Sequence, residues 1–410
     1  PDTLIVNGAE CEPLLRVDQQ LMAAYAPRLA AALEELRRET GAKRGVFALK
    51  AKYREALAKL TEALRPYPHL DLFELDNFYP AGDEQLTVYE VTGRIMPEGS
   101  IPIAVGVVVL NVETLLNISY AAEGLPVTHK YLTVTGEVAS PRTLRVPLGI
   151  TYQEAISLAG GATVADPALI DGGPMMGGVT QDLDQPVTKT TKGLIVLAQD
   201  HYWIRQKNKS IEAMLREAKT CCCHCMLCTE VCPRHLLGHG LSPDKLMRLC
   251  SYGSMATKDE DITSAFLCSE CGACVIGCVM ELQPFKLNQA LKQRLSAAGI
   301  KNPHHQQPAA IPPFRENKKM SIHTILSRTG LTAYDVPAPL HEEDYAPSRV
   351  TLPLKQHIGA ASVPMVATGD RVRAGQRIAR PADKGPGTNY HASISGTVAR
   401  VDCQAIVINS

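Results

Sequence analysis

The chain has 410 residues, of which 45% are hydrophobic and 20% are charged, and its 42 basic side chains balance 42 acidic ones. A chain of this length and apolar content can form several packed domains and is not typical of disordered proteins. The net charge of zero lacks the basic excess of nucleic-acid-binding proteins, so we expect no nucleic-acid partner. The longest apolar run, Ile101 to Leu110, is too short to cross a bilayer, so we expect no transmembrane segment.

The first 128 residues alternate short apolar runs with stretches of helix-favouring residues. Buried strands are predicted at Thr3–Val6, Gly45–Leu49 and Val105–Leu110, and helices at Leu29–Arg38 and Tyr53–Leu64. Strands that alternate with helices in this way are typical of a parallel sheet. We therefore predict a Rossmann-like α/β domain over residues 1–128.

Residues 129–200 follow a different pattern. Tyr131–Val138 alternates polar and apolar side chains as a strand does, Thr143–Val146 predicts a second strand, and Tyr152–Ala159 favours a helix. Strands around one helix predict a small β-grasp domain, and this region resembles the SLBB-like kind.

Three further segments complete the chain. Residues 201–300 favour helices and carry most of the cysteines, which predicts an α-helical domain. Residues 301–347 are rich in proline and histidine, as a linker or an extended arm would be. Residues 348–410 are strand-like again, with glycines between short runs. The predicted fold class is therefore multidomain, with α/β and α+β parts.

The cysteines are the most informative feature of the sequence. Eleven of the 13 lie between Cys221 and Cys278, which leaves Cys11 and Cys403 outside. A disulfide framework of a secreted protein is typical of short chains and would not cluster in this way. We therefore expect a reducing, cytoplasmic compartment and a metal centre.

Eight of these cysteines form two runs with the spacing Cys-x2-Cys-x2-Cys-x3-Cys. The runs are Cys222, Cys225, Cys228 and Cys232, followed by proline, and Cys268, Cys271, Cys274 and Cys278, without it. This is the bacterial ferredoxin spacing, in which the last cysteine of each run binds the cluster of the other run. The predicted ligands are Cys222, Cys225, Cys228 and Cys278 for one 4Fe-4S cluster, and Cys268, Cys271, Cys274 and Cys232 for the second.

A pair of structural zinc sites is the alternative interpretation. Zinc needs only two Cys-x2-Cys pairs and would leave cysteines such as Cys228 and Cys232 without a role. We therefore favour two 4Fe-4S clusters, with Cys221, Cys223 and Cys250 as surplus buried side chains.

Three segments of the N-terminal domain together resemble a flavin site. They are Asn7-Gly8-Ala9-Glu10-Cys11-Glu12-Pro13, Tyr79-Pro80-Ala81-Gly82-Asp83-Glu84 and Asn111-Val112-Glu113-Thr114. Each alone is typical of a turn or a helix cap. Their order resembles that of the NADH-oxidising subunit of respiratory complex I and of the RnfC component of Rnf complexes.

The resemblance implies that residues 1–128 bind FMN and NADH. The matching positions are Asn7, Glu10, Tyr79, Gly82, Glu84, Asn111 and Thr114, with Glu84 as the catalytic residue. Backbone amides and Asn or Thr side chains in such turns can hold a phosphate and a ribityl chain. The same family has a glycine-rich segment of the G-x-G-G-x-G-F-P type before the first strand, and no such segment occurs in this sequence.

The C-terminal segment resembles a barrel-sandwich hybrid of the lipoyl or biotinyl type. Val363–Gln376 matches one half and Tyr390–Val398 the other. Lys384 lies between the halves, but its neighbours differ from those of modified lysines, so we expect an unmodified docking or packing module.

The order of the modules resembles the PduS-type cobalamin reductases of bacterial propanediol-utilisation microcompartments, because the barrel-sandwich part follows the clusters. In RnfC proteins it precedes the flavin domain. The resemblance implies an NADH-dependent oxidoreductase that passes electrons through FMN and two clusters to cobalamin and reduces Co(III) to Co(II). It also implies a corrinoid adenosyltransferase and shell proteins as partners, and a location in a microcompartment of the cytoplasm.

Two other functions remain open at this point. An Rnf-like component would pass electrons to a membrane complex and would show little activity alone. A non-enzymatic electron conduit of a microcompartment would hold clusters that dithionite reduces and NADH does not.

Overall fold

The computed structural model describes residues 1–252 and 260–410, so residues 253–259 of the predicted helical domain lie outside the description. The chain forms two compact units, each assembled from three separate stretches of sequence. Unit 1 contains residues 1–13, 33–111 and 205–333, and unit 2 contains residues 14–32, 112–204 and 334–410.

The described strands are numbered in chain order. They are β1 (Thr3–Gly8), β2 (Arg44–Lys50), β3 (Leu70–Leu75), β4 (Phe78–Tyr79), β5 (Val107–Asn111), β6 (His129–Gly136), β7 (Arg142–Pro147), β8 (Pro167–Asp171), β9 (Gly178–Thr180), β10 (Gly193–Ala198), β11 (Met320–Ser321), β12 (Leu340–His341), β13 (Arg349–Pro353), β14 (Val363–Pro364), β15 (Arg371–Val372), β16 (Arg377–Arg380), β17 (Tyr390–His391), β18 (Gly396–Val401) and β19 (Ala405–Asn409).

The described α-helices are numbered in the same way. They are α1 (Val17–Ala24), α2 (Ala26–Thr40), α3 (Arg54–Leu64), α4 (Glu84–Thr92), α5 (Val112–Ala122), α6 (Tyr152–Leu158), α7 (Tyr202–Asn208), α8 (Ile211–Cys221), α9 (Leu227–Glu230), α10 (Pro233–Leu236), α11 (Pro243–Tyr252), α12 (Glu260–Thr263), α13 (Ala273–Gly277), α14 (Pro284–Ala297), α15 (Arg315–Lys318) and α16 (Ile322–Thr329). Short 3-10 turns occur at Pro102–Val105, Ser264–Leu267 and Thr332–Tyr334.

A four-stranded parallel sheet organises the first part of unit 1. Its strand order is β3-β2-β1-β5, and β1 is buried on both faces, as expected for a parallel sheet covered by helices. The predicted α/β arrangement is therefore confirmed. The last strand begins at Val107 rather than at Val105, because a 3-10 turn ends at Gly106, whose φ of 76° breaks the extended backbone.

The cysteine-bearing part of unit 1 is helical, as predicted. Helices α8, α11 and α14 share an apolar core, to which Met214, Met247 and Leu291 contribute. The short helices α9 and α13 pack against each other, and each carries the third cysteine of one run. The two runs are therefore adjacent in space.

Part of the predicted linker over residues 301–347 is folded within unit 1. β11 pairs antiparallel with β4 through Met320 and Tyr79. The guanidinium of Arg315 forms an ion pair with Glu90 and lies over the ring of Tyr89. These contacts hold this part of the segment in place, so it is more ordered than a tether.

Unit 2 contains the predicted β-grasp region. Its six-stranded mixed sheet has the order β12-β7-β6-β10-β8-β9, and α6 packs on it with Tyr152 and Ile156 in the core. Thr151 caps α6 by accepting a bond from the Glu154 amide while the Glu154 carboxylate accepts one in return. The predicted helix therefore begins directly after this capping box, and it ends at Leu158.

The C-terminal part of unit 2 forms two small sheets, with the orders β13-β19-β18-β15 and β14-β16-β17. Lys384 is exposed in the loop between β16 and β17. Among the described helices, none combines the length and apolar character needed to span a membrane.

Removing a buried side chain from the parallel sheet tests this core. Ile5 on β1 is fully buried, so Ile5→Ala should lower the free energy of unfolding by about 3 kcal/mol, because it removes apolar contacts and leaves a cavity. Ile101 is 66% exposed, and Ile101→Ala should change it by less than about 0.5 kcal/mol. Urea unfolding followed by circular dichroism measures both variants, and equal losses would contradict this description of the core.

Candidate cofactor sites

The carboxyl ends of β1 and β5 meet where the strand order of the unit 1 sheet reverses. β1 lies between β2 on one side and β5 on the other. Open parallel sheets bind nucleotide-like ligands at such a switch point, outside the carboxyl ends of the strands. Asn7 and Asn111, two predicted flavin residues, are paired there as the last partners of the β1–β5 register. We call this the flavin edge.

The turn after β1 is held in one conformation. The Tyr53 hydroxyl donates to the Ala9 carbonyl at 3.2 Å, and the Lys50 ammonium donates to the Glu10 carbonyl at 3.4 Å. Glu10 is buried and has a left-handed backbone with a φ of 43°. A non-glycine residue in this conformation persists only where its surroundings support it, and these bonds supply that support.

The segment Tyr79–Glu84 packs against this turn. The side-chain amide of Asn7 donates to the Gly82 carbonyl at 2.8 Å. A Cβ at Gly82 would lie 3.1 Å from the Cβ of Cys11 and 3.2 Å from Oδ1 of Asn7, so glycine permits the close approach. Asp83 then caps α4 by accepting bonds from two backbone amides of its first turn.

Glu84, the predicted catalytic residue, is exposed on the first turn of α4. Partial loss of hydration and the neighbouring Asp83 carboxylate disfavour its charged form, so its pKa is raised. A raised pKa brings the carboxyl group closer to the range in which it can exchange a proton near neutral pH.

The structure brings some of the predicted flavin residues together at the flavin edge and places others elsewhere. Those joined by the contacts above are Asn7, Glu10, Gly82 and Asn111. Tyr79 is buried, and its hydroxyl donates to the carbonyl of Cys271. Thr114 is exposed on α5, which belongs to unit 2. Two asparagines at partnered positions of neighbouring strands and a rigid turn at a switch point fit the phosphate and ribityl groups of FMN.

One cavity of unit 1 is lined by four of the eight run cysteines. These four, which we call the open cage, are Cys222, Cys225, Cys228 and Cys278. Cys225 is exposed, and the other three are partly exposed. Met226, Val279 and Met280 line the same cavity and are exposed themselves. The set is the one predicted for the first cluster, with its fourth member from the second run.

The other four cysteines form what we call the buried cage. They are Cys232, Cys268, Cys271 and Cys274, of which Cys268 alone is partly exposed. Burial raises the pKa of Cys271 and Cys274, and the thiol groups of Cys232 and Cys268 act in the same direction. Burial also raises the pKa of Cys232 to about 12. Thiols held neutral in this way need the positive charge of iron to bind as thiolates.

The two cages repeat one backbone conformation. The residues on either side of the second cysteine of each run are left-handed, namely His224 and Met226 around Cys225, and Glu270 and Gly272 around Cys271. In the buried cage, the Glu270 amide donates to the sulfur of Cys268 at 3.3 Å. This conformation costs energy for non-glycine residues, and its repetition indicates that both loops surround the same kind of group.

Each cage offers four thiols, which is the donor set of a 4Fe-4S cluster. Over residues 1–252 and 260–410, no three His, Cys, Asp or Glu side chains are placed to hold one metal ion. A cubane cluster takes its four thiolates at four different iron atoms, so its cage is wider than a tetrahedral zinc site. Four cysteines around each cage fit a 4Fe-4S cluster.

The expectation that the surplus cysteines are buried is wrong. Cys223 is exposed and lines the open-cage cavity, whereas Cys221 and Cys250 are partly exposed. Cys221, Cys222 and Cys223 are consecutive at the end of α8, where they cannot all face the interior.

Two contacts that the sequence does not predict join the flavin edge to the buried cage. Arg234 donates two hydrogen bonds to Asp83, at 2.6 and 2.9 Å, and both side chains are only 11% exposed. The second contact is the bond from Tyr79 to Cys271. The one sequence signal is an arginine directly after Cys232 and Pro233, which by itself indicates no partner.

A switch-point edge suited to FMN, in one unit with two four-cysteine cages, defines a flavin and iron–sulfur electron-transfer protein. Four family models match the chain. They are the Nuo51 FMN-binding domain at residues 1–120, the SLBB domain at 131–178, the 4Fe-4S dicluster domain at 221–283 and the RnfC barrel sandwich hybrid domain at 339–410. These matches confirm the predicted fold class and the predicted cofactors, FMN and 4Fe-4S clusters.

Full-length relatives identify the family. The chain is 44% identical over 412 residues to proteins named cobalamin reductase PduS from Citrobacter freundii and Salmonella typhimurium, with 99% of this chain and 90% of each relative covered. The RnfC-type component of the Na+-translocating ferredoxin:NAD+ oxidoreductase complex of Acetobacterium woodii is 34% identical over 238 residues, which are 57% of this chain and 51% of that protein. The chain belongs to the PduS cobalamin reductase family.

Substitution of one cysteine in each cage tests the ligand assignment. Cys225→Ala and Cys271→Ala should each lower the iron content from about eight atoms per chain to four or fewer, because each removes a ligand of one cluster. Cys403 is exposed and lies outside both runs, so Cys403→Ala should leave the iron content unchanged. Iron analysis and visible absorbance measure the result, and full iron content in either cage variant would refute the assignment.

Proposed function

We propose that the protein is a cobalamin reductase that passes electrons from NADH through FMN and two 4Fe-4S clusters to cobalamin, reducing Co(III) to Co(II). The observation that carries this proposal is the 44% identity, over 99% of the chain, to proteins named cobalamin reductase PduS. The bond from Tyr79 to Cys271 and that from Arg234, two residues after Cys232, to Asp83 support it, because they join the flavin edge and a cluster site within unit 1.

The cofactors convert two-electron chemistry into one-electron chemistry. When bound, FMN would supply hydride-accepting chemistry and the clusters would supply one-electron transfer, so that oxidation of one NADH to NAD+ and a proton balances reduction of two Co(III) centres to Co(II). The residues of the chain bind and orient these groups. Asn7 and Asn111 would hold the flavin at the sheet edge, and the eight run cysteines would hold the clusters.

The partners of this reaction are part of the proposal. A corrinoid adenosyltransferase would use the reduced cobalamin, and shell proteins of a bacterial microcompartment in the cytoplasm would surround the enzyme. The order of the modules, with the barrel-sandwich part after the clusters, supports this placement.

An electron-transfer component of the RnfC type is the second candidate. The match of residues 339–410 to the RnfC barrel sandwich hybrid domain and the relative from Acetobacterium woodii favour it. Such a component would deliver electrons to a protein complex and not to cobalamin.

An anaerobic NADH titration tests the proposed function. The protein is reconstituted with iron, sulfide and FMN, titrated with NADH under visible absorbance and electron paramagnetic resonance (EPR), and then mixed with Co(III) cobalamin. We expect bleaching of the flavin, EPR signals of reduced clusters, and two Co(II) per NADH. Reduction without transfer to cobalamin would favour the RnfC-type component. Reduction by dithionite and not by NADH would indicate an electron conduit.

The role of Glu84 is tested separately. Glu84→Gln should slow flavin reduction by NADH about 100-fold, because the amide cannot exchange a proton or match the charge of the carboxyl group. Iron content should not change. Glu74 is exposed on β3 of the same sheet, and Glu74→Gln is the matched control that should keep the original rate. Stopped-flow absorbance measures the rates, and an unchanged rate in Glu84→Gln would remove this residue from the NADH site.

A further inference from the structure

The segment that follows β3 contacts the flavin edge and a cluster cage at the same time. On one side, the Gly82 carbonyl accepts a bond from Asn7 at 2.8 Å. On the other side, the Tyr79 hydroxyl donates to the carbonyl of Cys271, a member of the buried cage. Tyr79 and Gly82 are only three residues apart, so one short segment makes both contacts.

A buried ion pair strengthens this junction. Besides capping α4, Asp83 accepts two hydrogen bonds from Arg234, which lies two residues after Cys232 of the buried cage. An arginine guanidinium is always protonated in proteins, and that of Arg234 is only 11% exposed. A full positive charge therefore lies beside the buried cage.

The two cages differ in their access to solvent. In the buried cage, three of the four cysteines are no more than 8% exposed. In the open cage, Cys225 is exposed, and Met226 and Met280 beside it are 47% and 42% exposed. Electron transfer to an external acceptor is favoured from the cage that reaches the surface.

We propose that the buried-cage cluster takes electrons from the flavin, that the open-cage cluster delivers them, and that Arg234, balanced by Asp83, sets the reduction potential of the buried-cage cluster. This inference rests on the proposed function. Reduction adds one negative charge to a cluster, so a nearby cation favours the reduced form and a nearby anion disfavours it. The effect is strong at a buried position because solvent screens the charges poorly.

Redox titrations followed by EPR, with dithionite as the reductant, test the role of Arg234. Arg234→Gln should make the buried-cage cluster harder to reduce, by about tenfold in the equilibrium constant, which is about 59 mV for one electron. Asp83→Asn should shift the same potential in the opposite direction, and Arg234→Lys should stay close to the original value. The open-cage potential should stay constant in all three. The Cys225→Ala and Cys271→Ala variants assign the two signals.

The matched control uses another ion pair of unit 1. Asp2 pairs with Arg94 at 2.9 Å, and Asp2→Asn should leave both cluster potentials unchanged. Opposite shifts in Arg234→Gln and Asp83→Asn cannot arise from a general loss of structure, which would move both in one direction or reduce the iron content. Equal shifts of both clusters, or no shift in either variant, would overturn the proposal.

The rates of reduction by NADH test the order in which the two clusters receive electrons. In Cys225→Ala, NADH should still reduce the buried-cage cluster at the original rate, whereas in Cys271→Ala the open-cage cluster should be reduced by dithionite but only slowly by NADH. The reverse result would overturn the order. Because the potentials are measured with dithionite, they are independent of NADH and cobalamin, so failure of the proposed function is distinguishable from failure of this inference.

Discussion

The exchange of the fourth cysteine between the two runs constrains the whole of unit 1. Cys278 lies with the first run and Cys232 with the second, so neither cage is complete until both runs are in place. Binding free energy of a metal centre in such a site is also folding free energy. Cluster insertion would therefore fix the packing of α8, α11 and α14 and, through Arg234 and Cys271, the position of the segment that caps α4.

Much of this arrangement can be predicted from local patterns in the sequence. The cysteine spacing reflects the geometry of a cubane, and apolar runs such as Thr3–Val6 predict the parallel sheet, whose carboxyl edge then holds Asn7 and Asn111. The partnership of Asp83 and Arg234 could not be predicted, because 151 residues separate them and neither lies in a periodic pattern. The same holds for the hydroxyl of Tyr79, which the flavin resemblance assigns to the cofactor and the structure directs to Cys271.

The two cages differ in burial, and burial affects how the reduction potential of a cluster is set. A buried cluster beside an ion pair has its potential set by fixed charges, whereas an exposed cluster is tuned largely by solvent and by whatever binds over it. The exposed methionines of the open cage, Met226 and Met280, give that surface a flexible apolar character that adapts to different binding partners.

The interleaving of the two units has a consequence for synthesis. Unit 1 needs residues 205–333 and unit 2 needs residues 334–410, so a ribosome that has made the first 204 residues has released two incomplete units. The four strands of the parallel sheet all precede residue 112, whereas both cysteine runs of unit 1 follow residue 204. A cut after Asn111 or Ile204 would therefore leave no fragment that contains one entire unit.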